Sequence, residues 1–370
     1  MRFLLVLVAA SCVAVLATWS PALAAPAFTL SYISGTSTQA QTAFAQAANV
    51  WSSLFADHVT VNLTVGTGTL GSGILASASS AESTFTYTGY RTALIADQSS
   101  ANDSAAVAST PAGSSFSVYM NYTSDNPHGV GSATPFLDGS GSNTTFITMT
   151  NANAKALGLT PAAQTVGGCG SNCDGYIQFS NAFSYDFDPS NGITAGGYDF
   201  VGLAIHEIGH ALGFVSGVDV LDVNASGTAS GAGTVNGYYG SNAFTFVSPL
   251  DMFRCSAGSV SAGADLDFTA DNRTKNFSLN DCVTSLGAFS TGITHGDGRQ
   301  ASHWKDNLDL GIMDPIVTPG QLLTITPLDL IAFDVIGWDL AVPEPPSLAL
   351  GAAWMAGLLT FRRRRPAVSA

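Results

Sequence analysis

One apolar segment, residues 199–214, constrains the fold of this chain more than any other. Its hydrophobic residues recur every three or four positions, which predicts a helix buried on most of its surface. Within it, His206 and His210 are four residues apart, so both imidazoles project from one face and can bind the same zinc ion. Glu207 follows the first histidine, where its carboxylate can reach a water rather than the metal. Gly213 is expected to end the helix.

The alternative is that these residues form a solvated surface, but the apolar flanks argue against it because unpaired polar groups among them would be costly. A catalytic zinc site uses three protein ligands and one open position, so a third ligand is needed. The spacing His206-Glu-x-x-His210-x-x-Gly213 resembles that of the metzincin metalloproteases. In compact metzincins the third ligand follows three residues after the glycine, where this chain has Ser216, a poor zinc ligand. The third ligand is therefore expected in a more distant segment.

The favoured third ligand is His303, which lies in a Ser-His-Trp sequence ten residues before Met313. A Ser-His-Trp sequence followed by a methionine-containing turn resembles the leishmanolysin-like metzincins, whose third zinc histidine follows a long insertion. The resemblance implies that His303 binds zinc and that Met313 packs beneath it in a Met-turn. His295 is the second choice of ligand. The remaining candidates are His58, His128, Asp219 and Asp222.

The sequence between the predicted signal segment and residue 66 indicates two parallel strands joined by a helix. Two segments alternate apolar and polar residues or are rich in β-favouring residues, and the Ala-rich segment between them places its apolar residues on one helical face. The strands are expected at 28–33 and 59–65, with the helix at 41–55. Further helices are expected at 91–97 and 102–109, and a short strand at 176–179.

Residues 326–337 are predicted to form one more helix. Thr326 can cap it, Pro327 suits its first position, Asp329 falls at the capping-box position, and Gly337 can end it. Residues 217–302 are rich in Gly, Ser and Asn and are interpreted as a loop-rich insertion.

The fold class that follows is α+β. The metzincin resemblance implies a twisted mixed sheet, an active-site helix, the long insertion and a C-terminal helix after the Met-turn. We expect an N-terminal catalytic subdomain at 25–216, the insertion at 217–302 and a C-terminal subdomain at 303–341.

The two ends of the chain are interpreted as targeting segments. Residues 1–24 combine a basic start, an apolar core and a small-x-small cleavage site, as secretory signal peptides do. Residues 342–370 combine Pro-Glu-Pro, a short apolar run and four arginines, an order that resembles the PEP-CTERM sorting signal of Gram-negative bacteria. That resemblance implies transient membrane association and processing by an exosortase-type machinery. A permanent anchor at either end is the alternative.

Four cysteines remain after the signal segment, and export would place them in an oxidising compartment. They are Cys169, Cys173, Cys255 and Cys282. Of the three possible pairings, Cys169–Cys173 with Cys255–Cys282 is favoured because each bridge closes a local irregular segment. A zinc site at Cys169 and Cys173 is the rival interpretation.

The composition argues against nucleic acid as a partner, because only 10% of residues are charged and the formal net charge is -14. The predicted function is a zinc endopeptidase, exported to the surface or surroundings of a Gram-negative bacterium, that cleaves protein or peptide substrates with Glu207 as general base. The substrate is expected to extend along a sheet edge, for which residues 176–179 are the candidate strand. The alternatives are a cell-wall peptide hydrolase and a non-catalytic zinc-containing adhesin, although an adhesin has no need of Glu207.

Overall fold

The structure is a computed structural model that describes residues 25–170 and 172–341. The predicted signal segment 1–24 and sorting segment 342–370 lie outside the described residues. The described part of the chain is of the α+β class, as predicted, with helices and several small sheets.

The described residues contain eight α-helices. They are α1 (Thr38–Leu54), α2 (Tyr87–Ala96), α3 (Ala101–Ser109), α4 (Asn151–Ala156), α5 (Phe200–Leu212), α6 (Val218–Ala225), α7 (Ala257–Ala262) and α8 (Pro327–Val335). Among them no helix has the length and apolar character needed to cross a membrane. The helices predicted from the sequence correspond to α1, α2, α3, α5 and α8.

The same residues contain sixteen strands, most of them short. They are β1 (Ala27–Tyr32), β2 (Thr60–Gly68), β3 (Ala76–Ser80), β4 (Glu82–Thr86), β5 (Val118–Met120), β6 (Phe136–Asp138), β7 (Phe146–Thr150), β8 (Gly175–Ser180), β9 (Tyr185–Asp186), β10 (Tyr198–Asp199), β11 (Thr234–Val235), β12 (Tyr238–Tyr239), β13 (Arg254–Cys255), β14 (Leu266–Asp267), β15 (Lys275–Phe277) and β16 (Gly287–Phe289).

The largest sheet has the order β1-β2-β8-β3. β1 and β2 run parallel, with α1 as the connecting helix, which confirms the predicted strand–helix–strand unit. β8 is also parallel to β2, whereas β3 is antiparallel to β8 and forms one edge of the sheet, with β1 at the other. The expectation that residues 176–179 form an edge is therefore wrong, because β8 lies between two other strands. The edge strand β3 comes from an Ala-Ser-Ala-Ser-Ser sequence whose two-residue alternation is a weak strand pattern.

The helix α5 lies in the core between α1, the main sheet and the segment that follows α8. Phe44 of α1 makes edge contacts with Phe179 of β8 and Phe200 of α5, at centroid distances of 5.1 and 5.0 Å. Two buried indoles also anchor α5 through its backbone. Trp51 Nε1 donates to the Ile205 carbonyl at 2.9 Å, and Trp338 Nε1 donates to the Leu212 carbonyl at 2.8 Å. These long-range bonds hold the backbone of α5 beside His206 and just after His210.

The segment 217–302 carries α6, α7 and strands β11 to β16. Its β14 pairs in parallel with β5 of the N-terminal part, and its apolar side chains belong to the common buried core. Cys255–Cys282 lies within this segment and Cys169–Cys173 precedes β8, so both predicted disulfide pairings are confirmed.

The capping pattern predicted for the last helix is present in α8. Thr326 is the N-cap, its side chain and that of Asp329 form a capping box, and Pro327 occupies the first turn. The helix ends at Val335, and Gly337 follows with a φ of +105°.

Candidate metal centre

Helix α5 presents three of the predicted site residues on consecutive turns. Asp199 caps its start by accepting the N–H of Gly202 at 2.8 Å. Gly213 ends it with a φ of +124°, a backbone conformation that favours glycine. Between these two ends, His206 and Glu207 are 8% and 7% exposed, and His210 is half-buried.

The structure brings His303 to the two helical histidines although it lies 93 residues beyond His210. Their three Nε2 atoms form a nearly equilateral triangle. The distances are 3.1 Å from His206 to His210, 3.2 Å from His210 to His303 and 3.3 Å from His303 to His206. The three residues form a buried group that could hold a metal ion.

Each imidazole has a backbone carbonyl near its other nitrogen. Nδ1 of His206 lies 2.7 Å from the Ile312 oxygen, and Nδ1 of His210 lies 2.8 Å from the Phe214 oxygen. A carbonyl only accepts, so these rings carry their proton on Nδ1 and leave the Nε2 lone pair free. This is the tautomer that a metal ligand needs.

The nitrogen triangle fits a tetrahedral ion with short bonds. With Zn–N distances of about 2.0–2.1 Å, tetrahedral ligand nitrogens lie about 3.3 Å apart, close to the separations observed here. Imidazole nitrogen is also a preferred zinc ligand, whereas calcium and magnesium select oxygen. The donor set and its size therefore suit a zinc-like transition metal.

Burial also keeps the ligands neutral. It lowers the pKa of His206, and burial together with the neighbouring His206 lowers the pKa of His210 to about 3. The pKa of His303 lies well below its usual value because of burial and the two other histidines. Deprotonated rings at neutral pH can bind a cation without first losing a proton.

Glu207 lies beside this group and outside the ligand triangle. Burial raises the pKa of its carboxyl to about 8, and a bound cation would act in the opposite direction. In the described part of the chain no group hydrogen-bonds to its carboxylate. Its oxygens are thus available to a water molecule or substrate.

Met313 packs directly against α5 at Gly209. It is fully buried, and a Cβ added at Gly209 would lie only 2.6 Å from its sulfur. The turn that carries Met313 also supplies the Ile312 carbonyl that contacts His206. A glycine at position 209 therefore permits the close approach of this turn to the histidine-bearing helix.

The other polar candidates are used elsewhere. Asp219 accepts hydrogen bonds from Ala301 and Ser302, and Asp222 accepts the N–H groups of Thr294 and His295 at 2.8 Å each. The His295 ring packs on another aromatic side chain and does not join the three histidines. Ser216, at the position of the compact-family ligand, donates its hydroxyl to Asp251 at 2.6 Å.

Asp329 is a buried residue whose role in the site was not predicted. Its carboxylate accepts Trp304 Nε1 at 2.8 Å, the Ile312 N–H at 2.8 Å and the Thr326 N–H at 2.7 Å. It thus joins α8, the turn beneath the histidines and the neighbour of His303. Only its capping position was visible in the sequence, because the other contacts are long-range.

Compared with protein-family models, with curated proteins and with solved structures, the chain matches none of them. Its function is therefore inferred from the geometry of its own residues.

Proposed function

We propose that this chain is an exported zinc endopeptidase of the metzincin type, with a layout similar to that of leishmanolysin-like members. The observation that carries the proposal is the triangle of three imidazole nitrogens beside a buried glutamate on the same helix. Within residues 25–170 and 172–341, no fourth histidine, cysteine or carboxylate joins the group. Structural zinc is usually closed by a fourth protein ligand, whereas catalytic zinc keeps one position open.

When bound, zinc supplies Lewis-acid activation of a peptide carbonyl and of a water molecule. His206, His210 and His303 would hold the ion through Nε2. The carboxylate of Glu207 accepts a proton from the attacking water and delivers it to the nitrogen of the departing amine. The low exposure of Glu207 limits competition from bulk water for this carboxylate.

The edge strand β3 supports an extended peptide as substrate. Because β3 pairs on one side only among the described strands, its other side offers backbone groups to a second strand. Ser77 and Ser79 are exposed along it. A peptide that adds to this edge gains main-chain hydrogen bonds that do not depend on its sequence.

Export is supported by the two disulfides, which are typical of oxidising compartments. The terminal segments add a signal peptide and a sorting tail of the PEP-CTERM type. We therefore place the protein at the surface or in the surroundings of a Gram-negative cell, after transient membrane association and processing by an exosortase-type machinery.

The test compares the purified protein with its Glu207→Gln variant in zinc content and in cleavage of casein, a fluorogenic peptide and cell-wall peptides. We expect one zinc per chain in both proteins and a loss of hydrolysis of about 10²- to 10⁴-fold in the variant. Full hydrolysis by the variant would overturn the mechanism. Bound zinc without hydrolysis in either protein would favour the adhesin. Cleavage restricted to cell-wall peptides would reassign the substrate.

A further inference from the structure

The third histidine is the ligand least fixed by contacts of its own ring. His303 lies on the irregular segment 290–303, and its Nδ1 is 3.4 Å from the Gln300 oxygen. The corresponding distances are 2.7 Å for His206 and 2.8 Å for His210. A contact of 3.4 Å is a weak hydrogen bond. The position of His303 must therefore be set mainly by the backbone that carries it.

Two charged side chains hold that backbone at Ala301. Asp219 Oδ1 accepts the Ala301 N–H at 2.6 Å, and Arg254 Nη2 donates to the Ala301 oxygen at 2.6 Å. Asp219 Oδ2 also accepts the N–H of Ser302 at 3.1 Å and its hydroxyl at 2.5 Å. The two backbone N–H groups directly before His303 thus both donate to the carboxylate of Asp219, in charge-assisted hydrogen bonds.

The same carboxylate ties this backbone to the end of the zinc-binding helix. Asp219 lies in the first turn of α6, which begins six residues after α5 ends. The Ser302 hydroxyl that donates to Asp219 also accepts the N–H of Ser216, at 2.9 Å. The connection between α5 and α6 therefore sets the distance from the first two histidines to the third.

We propose that Asp219 is a positioning residue for the metal centre: it holds Ala301 and Ser302 so that the His303 imidazole completes the triangle begun on α5. This inference rests on the zinc site of the proposed function and gives residues of the 217–302 segment a task in metal binding. Outer partners that orient metal ligands typically change metal affinity by about 10- to 100-fold when they are lost.

Asp222 provides a matched control on the same helix. It is 3% exposed and accepts two backbone N–H groups, as Asp219 does, but from Thr294 and His295. Those residues lie eight or more positions before His303. Loss of Asp222 therefore removes comparable hydrogen bonds without touching the backbone next to the ligand.

The experiment compares wild type with Asp219→Asn and Asp222→Asn. Zinc affinity is measured by competition with a chromophoric chelator, ligand geometry from the absorption spectrum of the cobalt(II)-substituted protein, and stability from thermal unfolding without metal. We expect Asp219→Asn to weaken zinc binding by about 10- to 100-fold and to alter the cobalt spectrum. Asp222→Asn is expected to keep the wild-type spectrum and an affinity within about threefold of wild type, since no ligand is disturbed.

Ser302→Ala gives a milder second variant if Asp219→Asn does not fold, because it removes only the hydroxyl bridge. A wild-type affinity and spectrum in the Asp219 variant, or in Ser302→Ala where only that variant folds, would overturn the proposal. Equal losses in the Asp219 and Asp222 variants would overturn it too, as they would reflect general destabilisation. If wild type binds zinc but cleaves no peptide, the affinity difference still supports the positioning role while the proposed protease function fails.

Discussion

The two sides of the candidate metal centre, helix α5 and the segment 290–303, are held by different kinds of contact. His206 and His210 lie on a regular helix whose spacing alone places both rings on one face. His303 lies on an irregular segment whose backbone is held by the half-buried side chain of Asp219 and the buried side chain of Arg254. Helical ligands thus depend on local geometry, whereas the third ligand depends on bonds between residues distant in sequence.

The largest expected effect comes from removing the third ligand itself. His303→Ala leaves only the two helical nitrogens, so zinc affinity should fall by more than about 100-fold, beyond the usual effect of losing an outer partner. His295→Ala is the matched control, because His295 lies on the same segment but outside the triangle. Zinc content after dialysis and chelator competition measure both. Stoichiometric zinc in His303→Ala would contradict the contrast between α5 and the segment 290–303, since the two helical histidines would then be enough to bind zinc.

The contrast between local and long-range contacts also explains which parts of the histidine site could be predicted from the sequence. The periodicity around His206 was enough to predict α5, because a helix is determined by residues close in sequence. His303 was favoured only through a resemblance, and Arg254 gave no signal at all, because its partners at Ser290 and Ala301 are 36 and 47 residues away. The edge strand β3 was missed because Ala and Ser alternation is a weak pattern.

Arg254 is fully buried and forms an ion pair with the equally buried Asp251, at 3.2 Å. Arg254→Met removes donors from the Ser290 and Ala301 carbonyls and leaves the Asp251 charge without its cation. Breaking such a buried pair typically costs about 3–5 kcal/mol of folding stability. Urea unfolding of the metal-free protein measures this effect.

Arg299→Met is the control for that experiment, since Arg299 pairs with Asp306 at 3.1 Å in a partly exposed position. Exposed pairs contribute at most about 1 kcal/mol. Equal costs for the two variants would mean that the segment 290–303 does not depend on its buried ion pair, and the contrast with α5 would be lost.

The smallest expected effect is a pH dependence of folding stability that comes from the turn beneath the histidines. Burial and the nearby Asp329 raise the pKa of Asp314, in that turn, to about 7. An unfolded aspartate ionises near pH 3.8, so between these values the folded protein binds the additional proton. This contribution to stability is complete below about pH 4 and is lost as the pH rises through about 7.

Thermal unfolding of the metal-free protein at pH 5 and pH 8 tests this contribution with Asp314→Asn. The unfolding temperature of wild type should fall more over this range than that of the variant, by about 2 °C for a partly exposed group in a chain of this size. Asp186→Asn, in the short strand β9, is the control. Hydrogen bonds from Thr194 lower the pKa of Asp186 below its usual value, so its contribution is constant above pH 5. A wild-type slope in Asp314→Asn would show that Asp314 is not the source of this pH dependence.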